Sequence, residues 1–309
     1  MDLNEQLTES RKSPFVFDSF ILKIIAIFTM TLDHMARIIM LNFSPANDSP
    51  LFYVCLIMMI VGRIAFILFA FLLVKSMLYT RSQPKYILRL SIMTILIGGV
   101  LLVTQYAFEI SQLNNIFLTL LLGALIIFLL EHKNAWFKPI AILPALYVFL
   151  CNFYRDDLLA MNFPEALIGQ YEFYGILIIL GIYLGHKLYN VAMNQLDVQI
   201  GVPKGTSLAG PRMQSLYNIL PVVIIIIINI GAWGITYFTS SDFFIYFYGN
   251  ISHGNNIQFF SLLALPFMAL YNEKVGYNKK WFRYFTYAYY PLHILIGVII
   301  IYVVGLLLF

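Results

Sequence analysis

Four ionisable side chains stand on one apolar stretch near the start of the chain. Between Ile21 and Ile39, where the other residues are Ile, Leu, Phe, Met, Ala and Thr, lie Lys23, Asp33, His34 and Arg37. Asp33 and Arg37 are four apart and His34 and Arg37 three apart, so on a helix each pair can meet. A carboxylate, an imidazole and a guanidinium in one place can take a proton and hold the charge that results, which is the equipment of general base chemistry. Lys23 precedes His34 by eleven residues, nearly three helical turns, so the two share a face about 16 Å apart along the axis. A cation at the membrane rim with a titratable base deep on the same face suits a long cytosolic donor, its phosphates held outside and its thin arm reaching in. Coenzyme A thioesters have that shape.

Further candidates join from other segments. In Gly62-Arg63-Ile64-Ala65-Phe66, Gly62 permits a close helix approach and Arg63 can be brought near Asp33. Lys85 and Arg89, four apart, are further contacts for donor phosphates. In Tyr289-Tyr290-Pro291-Leu292-His293, counting along the span puts His293 in the inner half, nearer Lys23 in depth than His34, where it would contact the donor's arm with Tyr290 beside it. Charged groups at membrane depth cost about 2.5–3.5 kcal/mol each even on lenient scales, so they are functional candidates by default. Plainer readings stand beside these: Lys23 snorkelling to the interface, Arg37 as an outer-end anchor, Asp33–Arg37 as a structural bridge, His293 as a satisfied core histidine. His132, His186 and His253 fall at expected helix ends or in connections, where a solvated or interfacial histidine is the expectation. Cys55 and Cys151 lie inside apolar segments as small hydrophobes, with neither disulfide nor metal spacing.

The elements that must position these groups follow from composition. Of 309 residues 61% are hydrophobic and 11% charged, against about 25% charged in soluble domains, and mean hydropathy is +0.83. A soluble enzyme is excluded. The apolar runs are continuous and lack the period-two alternation of a membrane barrel, so the fold class is all-α, a polytopic transmembrane helical bundle. Spans are expected near 20–41, 52–75, 86–104, 116–131, 138–153, 172–190, 216–238, 257–272 and 285–308, about nine in all. A net charge of +4 comes from bases spread between the runs, which reads as topology and not as a nucleic-acid surface. Arg11 and Lys12 precede the first span and the connection Asn42–Leu51 has no base. The later even connections carry Lys75, Arg81, Lys85 and Arg89, then Lys133 and Lys138, then Lys187, Lys204 and Arg212, then Lys274, Lys279, Lys280 and Arg283, whereas Gln105–Asn115 and Thr239–Asn256 have none and the fifth has Arg155 alone with Asp156, Asp157 and Glu165. The expectation is a cytosolic N-terminus, a tail over 1–19 and a single transmembrane domain over 20–309.

Leu22-Lys23-Ile24-Ile25-Ala26, Leu32-Asp33-His34, Gly62-Arg63-Ile64-Ala65-Phe66, Lys85-Tyr86, Asn115-Ile116-Phe117-Leu118-Thr119, Tyr271-Asn272 and Tyr290-Pro291-Leu292-His293 resemble, in that order, the TraX family. These are conjugal-transfer membrane proteins implicated in N-terminal acetylation of pilin. The Lys23-x10-His34 spacing is similar to the basic-x10-His motif of the membrane acyltransferase-3 superfamily. That resemblance implies His34 as general base and Lys23 as a donor-phosphate contact, with Arg63 matching the family's second-helix arginine and grouped with the donor contacts. The expected activity is transfer of acetyl from acetyl-CoA to a peptide or envelope acceptor in a bacterial plasma membrane, without a metal, Asp33 either orienting an imidazole or pairing with Arg37 or Arg63. Two other readings stay open: a transporter whose proton or anion path runs through Asp33, His34, Arg37 and Arg63, and a non-catalytic pilus or conjugation assembly factor.

Overall fold

A computed structural model describes residues 16–46, 48–107, 115–169, 171–205, 211–239, 257–282, 284–293 and 296. Arg11 and Lys12 with most of the expected tail, most of the base-free connections at 105–115 and 239–256 with His253, Arg283, and the last expected span beyond 296 lie outside them.

The described chain is helical, with two isolated bridges and no strand. A backbone in hydrocarbon must pair its own N–H and C=O groups, and continuous Ile/Leu/Phe runs do so as helices. In order they are α1 (Ser19–Phe43), α2 (Pro50–Tyr79), α3 (Gln83–Ala107), α4 (Ile116–Glu131), α5 (Ile142–Phe153), α6 (Arg155–Ala160), α7 (Glu172–Gln199), α8 (Pro211–Thr239) and α9 (Leu265–Ala269). A last helical stretch, α10, covers 280–282 and 284–293. Among the described residues five segments are long and apolar enough to cross a bilayer: Ser19–Met40, Pro50–Tyr79, Gln83–Val103, Ala135–Phe153 and Phe173–Gln199. Three more, Ile116–Glu131, Leu216–Ala232 and Gln258–Ala269, are apolar but shorter. At 1.5 Å per residue α4 is about 24 Å long, less than the roughly 30 Å hydrocarbon core. The segment expected as a helix over 257–272 is instead a 3-10 run, Ile257–Ala264, followed by the short α9. The protein is a multi-pass helical membrane protein.

By its own contacts the chain divides into two compact units: one of the residues up to Phe69, Leu184–Ile226 and those from Phe260 onward, the other of Ala70–Tyr183 and Ile227–Phe259. The second has a core of Ile126, Ala141, Val148 and Ile176. There α4 and α7 approach closely at Gly123, where an added Cβ would lie 2.6 Å from Ile179 Cδ1. Tyr183 donates to Glu131 at 2.5 Å. That hydrogen bond satisfies two polar groups on apolar helices.

The first unit is organised around the start of α1. Asp18 caps the helix, its Oδ1 accepting from Ile21 N–H at 2.8 Å, which satisfies one of the orphan donors of the first turn. Phe17 pairs with the chain after α9: Phe17 N–H donates to Leu270 O (3.3 Å), Asn272 N–H to Phe17 O (2.8 Å) and Ser19 N–H to Lys274 O (2.9 Å). The Ser19 and Tyr271 hydroxyls lie 2.8 Å apart. Beyond this clasp, Phe20 packs on Tyr277 (5.3 Å) and Phe282 (4.8 Å between centroids). The clasp thus starts α1 and α10 at one level.

Candidate functional site

Asp33 lies on the buried face of α1, 3% exposed, and is held by two guanidiniums. Arg37, one turn on, donates its Nε to Oδ2 at 3.0 Å, and the buried Arg63 of α2 donates Nη2 to Oδ1. Arg63 also donates Nε to Met59 O at 3.2 Å. A glycine permits this contact: a Cβ on Gly62 would sit 2.4 Å from Asp33 Cβ and 3.0 Å from its Cα, closer than atoms can approach, so α2 reaches Asp33 only where it has no side chain. Of the partners open to Asp33 in sequence, the structure brings both arginines and not the His34 ring.

His34 turns to the other end of the chain. Its Nδ1 lies 2.6 Å from His293 Nε2, and His293 Nδ1 lies 2.8 Å from Tyr289 O. A carbonyl only accepts, so His293 Nδ1 carries a hydrogen and donates it. In neutral His293 the Nε2 is then a lone pair, and His34 Nδ1 must donate to it. The remaining nitrogen of His34, Nε2, is therefore an unprotonated acceptor on a half-buried side chain.

Aromatic groups fix these rings. His34 and His293 are near parallel with centroids 4.9 Å apart, Tyr289 stacks on His293 at 5.1 Å, and Tyr290 meets both imidazoles edge-on at 5.9 and 5.7 Å. Thr31 Oγ1 donates to Ile27 O at 2.8 Å, which leaves it to accept from the Tyr289 hydroxyl, also at 2.8 Å.

His293 does not lie nearer Lys23 in depth than His34, as counting from the expected span had placed it. The last helix is already formed at 280–282, five residues before the expected start at 285. Thirteen residues then separate 280 from 293 and fifteen separate Ser19 from His34, so the imidazoles arrive level. Lys23 is half-buried on α1, while Lys85 and Arg89 are both exposed near the start of α3, in the other unit. Sequence reasoning missed Thr31 and the Tyr289 carbonyl; the i, i+4 spacing of Tyr289 and His293 was the available signal. His186, expected near a helix end, is fully buried against Tyr217 at 4.4 Å, because α7 runs on to Gln199. Cys55 and Cys151 are buried and form no disulfide. Among the described residues no group of His, Cys, Asp and Glu could hold a metal.

Fold and site together define a multi-pass helical membrane protein with a buried carboxylate–guanidinium cluster beside a histidine pair. Compared with protein families, residues 19–250 match the model described as TraX protein, and the chain belongs to the TraX family. The match contains Lys23, Asp33, His34, Arg37, Arg63, Lys85 and Arg89, and ends before Tyr289–His293. No curated protein and no solved structure matches the chain.

Proposed function

We propose that the protein is an integral membrane acyltransferase that moves an acetyl group from acetyl-CoA to an amine or hydroxyl of a peptide or envelope acceptor. The observation that supports this reading most is the hydrogen-bond chain His34–His293–Tyr289 carbonyl, which leaves Nε2 of His34 as a directed base. As the acceptor attacks the thioester carbonyl carbon, His34 Nε2 takes its proton and the new C–N or C–O bond forms. The His34 imidazolium is held by its Nδ1–H to His293, which can share the proton. Collapse of the tetrahedral oxyanion breaks the C–S bond, and the coenzyme A thiolate leaves with the proton from the histidine pair. Protons and electrons balance with no other reactant. Base catalysis of this kind contributes about 10²–10⁴-fold.

Lys23, about 16 Å along the helix from His34, would meet donor phosphates at the rim. Asp33 pairs with both Arg63 and Arg37 and so fixes the helix that carries the base. The charge pattern of the connections supports about nine spans and a cytosolic N-terminus, and family membership supports a bacterial plasma membrane. Family membership supports a role in conjugation or pilus modification.

The test is binding and turnover of acetyl-CoA by the purified full chain, wild type against His34→Gln and Lys23→Ala. Turnover lost in His34→Gln with binding kept, and binding lost in Lys23→Ala, would support the reading. A wild type that neither binds nor consumes acetyl-CoA sinks it. Vesicles that move substrate without acetyl-CoA would then favour a transporter, and a His34→Gln variant that supports pilus assembly would favour an assembly factor.

A further inference from the structure

Asp33 can neutralise only one of the two guanidiniums that bracket it. Arg63 is 2% exposed and faces Asp33 across the α1–α2 contact. Arg37 differs: its side chain is 38% exposed and its bond to Asp33 uses Nε. That leaves the end-on edge, Nη1 and Nη2, with no hydrogen bond or ion pair among the described residues. With both histidines neutral, Asp33, Arg37 and Arg63 together carry one positive charge in excess. At membrane depth an unmatched charge is costly, and an end-on guanidinium edge fits a carboxylate or phosphate through two parallel hydrogen bonds.

We infer that the Nη1/Nη2 edge of Arg37 is an anion-binding site beside His34, which takes a carboxylate or phosphate group. Arg37 follows His34 by three residues, so the two side chains are neighbours on α1, about 4.5 Å apart in axial rise. An anion on Arg37 therefore stands within one helical turn of the base. The acceptor class this selects is an amine or hydroxyl compound with an anionic group close to its nucleophile. A lipid headgroup phosphate has the same chemistry and is the second source. The inference takes from the proposed reaction only the identity of the ligand as acceptor; the anion contact can be read without turnover.

The unprotonated Nε2 of His34 is the atom that diethyl pyrocarbonate modifies, and an anion on Arg37 shields it. The full chain in uncharged maltoside detergent is labelled at constant ionic strength, with inorganic phosphate replacing chloride, and His34 modification is read by peptide mass spectrometry. At roughly twice a millimolar Kd, phosphate slows labelling about threefold in wild type, and the effect is absent in Arg37→Gln and partly kept in Arg37→Lys. Lys138→Gln, at an exposed base elsewhere, leaves protection unchanged. In phosphatidylcholine nanodiscs, protection that appears on adding phosphatidylglycerol alone assigns the anion to a headgroup; protection that still requires soluble phosphate assigns it to a small ligand. No protection in wild type, or equal protection in Arg37→Gln, overturns the site. If His34 resists the reagent, the thermal unfolding midpoint decides by the same comparison: phosphate raises it in wild type and not in Arg37→Gln. A chain that binds phosphate through Arg37 but never consumes acetyl-CoA keeps this site and loses the reaction. A chain that consumes acetyl-CoA, with phosphate protection indifferent to Arg37, does the reverse.

Discussion

His34 Nδ1 and His293 Nε2 lie 2.6 Å apart across 259 residues of sequence. In the neutral pair the Tyr289 carbonyl decides the direction of each proton in this contact, because it obliges His293 to donate from Nδ1. The tautomer of His34 is thus set two hydrogen bonds away, by a backbone atom that no side-chain substitution removes.

That tautomer is open to a direct measurement. Nitrogen-15 spectra of histidine-labelled protein at neutral pH are expected to show His34 with a protonated Nδ1 and an unprotonated Nε2, and His293 with the same pattern. In His293→Phe the lock on His34 is gone and its two nitrogens exchange roles. A spectrum of His34 protonated at Nε2 in the wild type would contradict the chain as drawn.

Turnover separates the two imidazoles. His34→Gln loses the base and falls by about 10²–10⁴-fold. His293→Gln keeps a hydrogen-bonding side chain but cannot share the proton; its kcat is expected to fall by less, with KM for acetyl-CoA unchanged and the pH–rate profile altered. A His293→Gln profile superimposable on wild type would reduce His293 to packing.

Gly62→Ala is expected to destabilise the protein by about 1–3 kcal/mol, the usual cost of forcing atoms into a packed contact. The added Cβ meets Asp33 Cβ at 2.4 Å, so α2 must move away and Arg63 must let go of its partner. A Gly62→Ala protein with an unchanged unfolding midpoint in detergent would show that this approach is not needed.

Removing the central carboxylate should cost more. Asp33→Asn leaves the buried Arg63 without its counter-charge, a change of about 3–5 kcal/mol for a broken buried pair. Asp33→Asn with Arg63→Met removes that buried charge and is expected to recover much of the loss in folded yield and midpoint. If the double variant is no better than the single, charge is not what the cluster balances.

The hydroxyl pair that steadies Tyr289 predicts non-additivity. Thr31→Val and Tyr289→Phe should each cost about 1 kcal/mol, as for a typical hydrogen bond, and the double variant no more than either alone. Fully additive unfolding midpoints would mean that the 2.8 Å contact contributes nothing.

The site was legible in sequence where helical periodicity carries the information. Asp33 and Arg37 meet because they are one turn apart, and Gly62 beside Arg63 marked the place where two helices touch. Family membership, too, could be read from ordered fragments along the chain. The pairing of His34 with His293 was not legible, since it depends on where α10 begins. The stretch between α9 and α10 sets that start and has no periodicity to read; Glu273 and Gly276 in it have φ of 60° and 66°, and its hold on α1 includes backbone hydrogen bonds of Phe17 and Ser19. For the same reason the 3-10 run before α9 looked like an ordinary apolar helix: hydropathy reports burial, not which carbonyl an N–H will choose. His186 was misplaced because α7 continues past the hydrophobic stretch that announced it.

The clasp between Phe17 and the turn after α9 joins α1 to α10, a helix made much later. At synthesis rates of about 5–20 residues per second, roughly 15–50 s pass between the appearance of His34 and that of His293. Through that interval the first histidine waits in the bilayer without the partner that sets its tautomer. A nascent chain that has not yet reached His293 therefore holds His34 with its tautomer unset, and the pair is assembled only once α10 is in place.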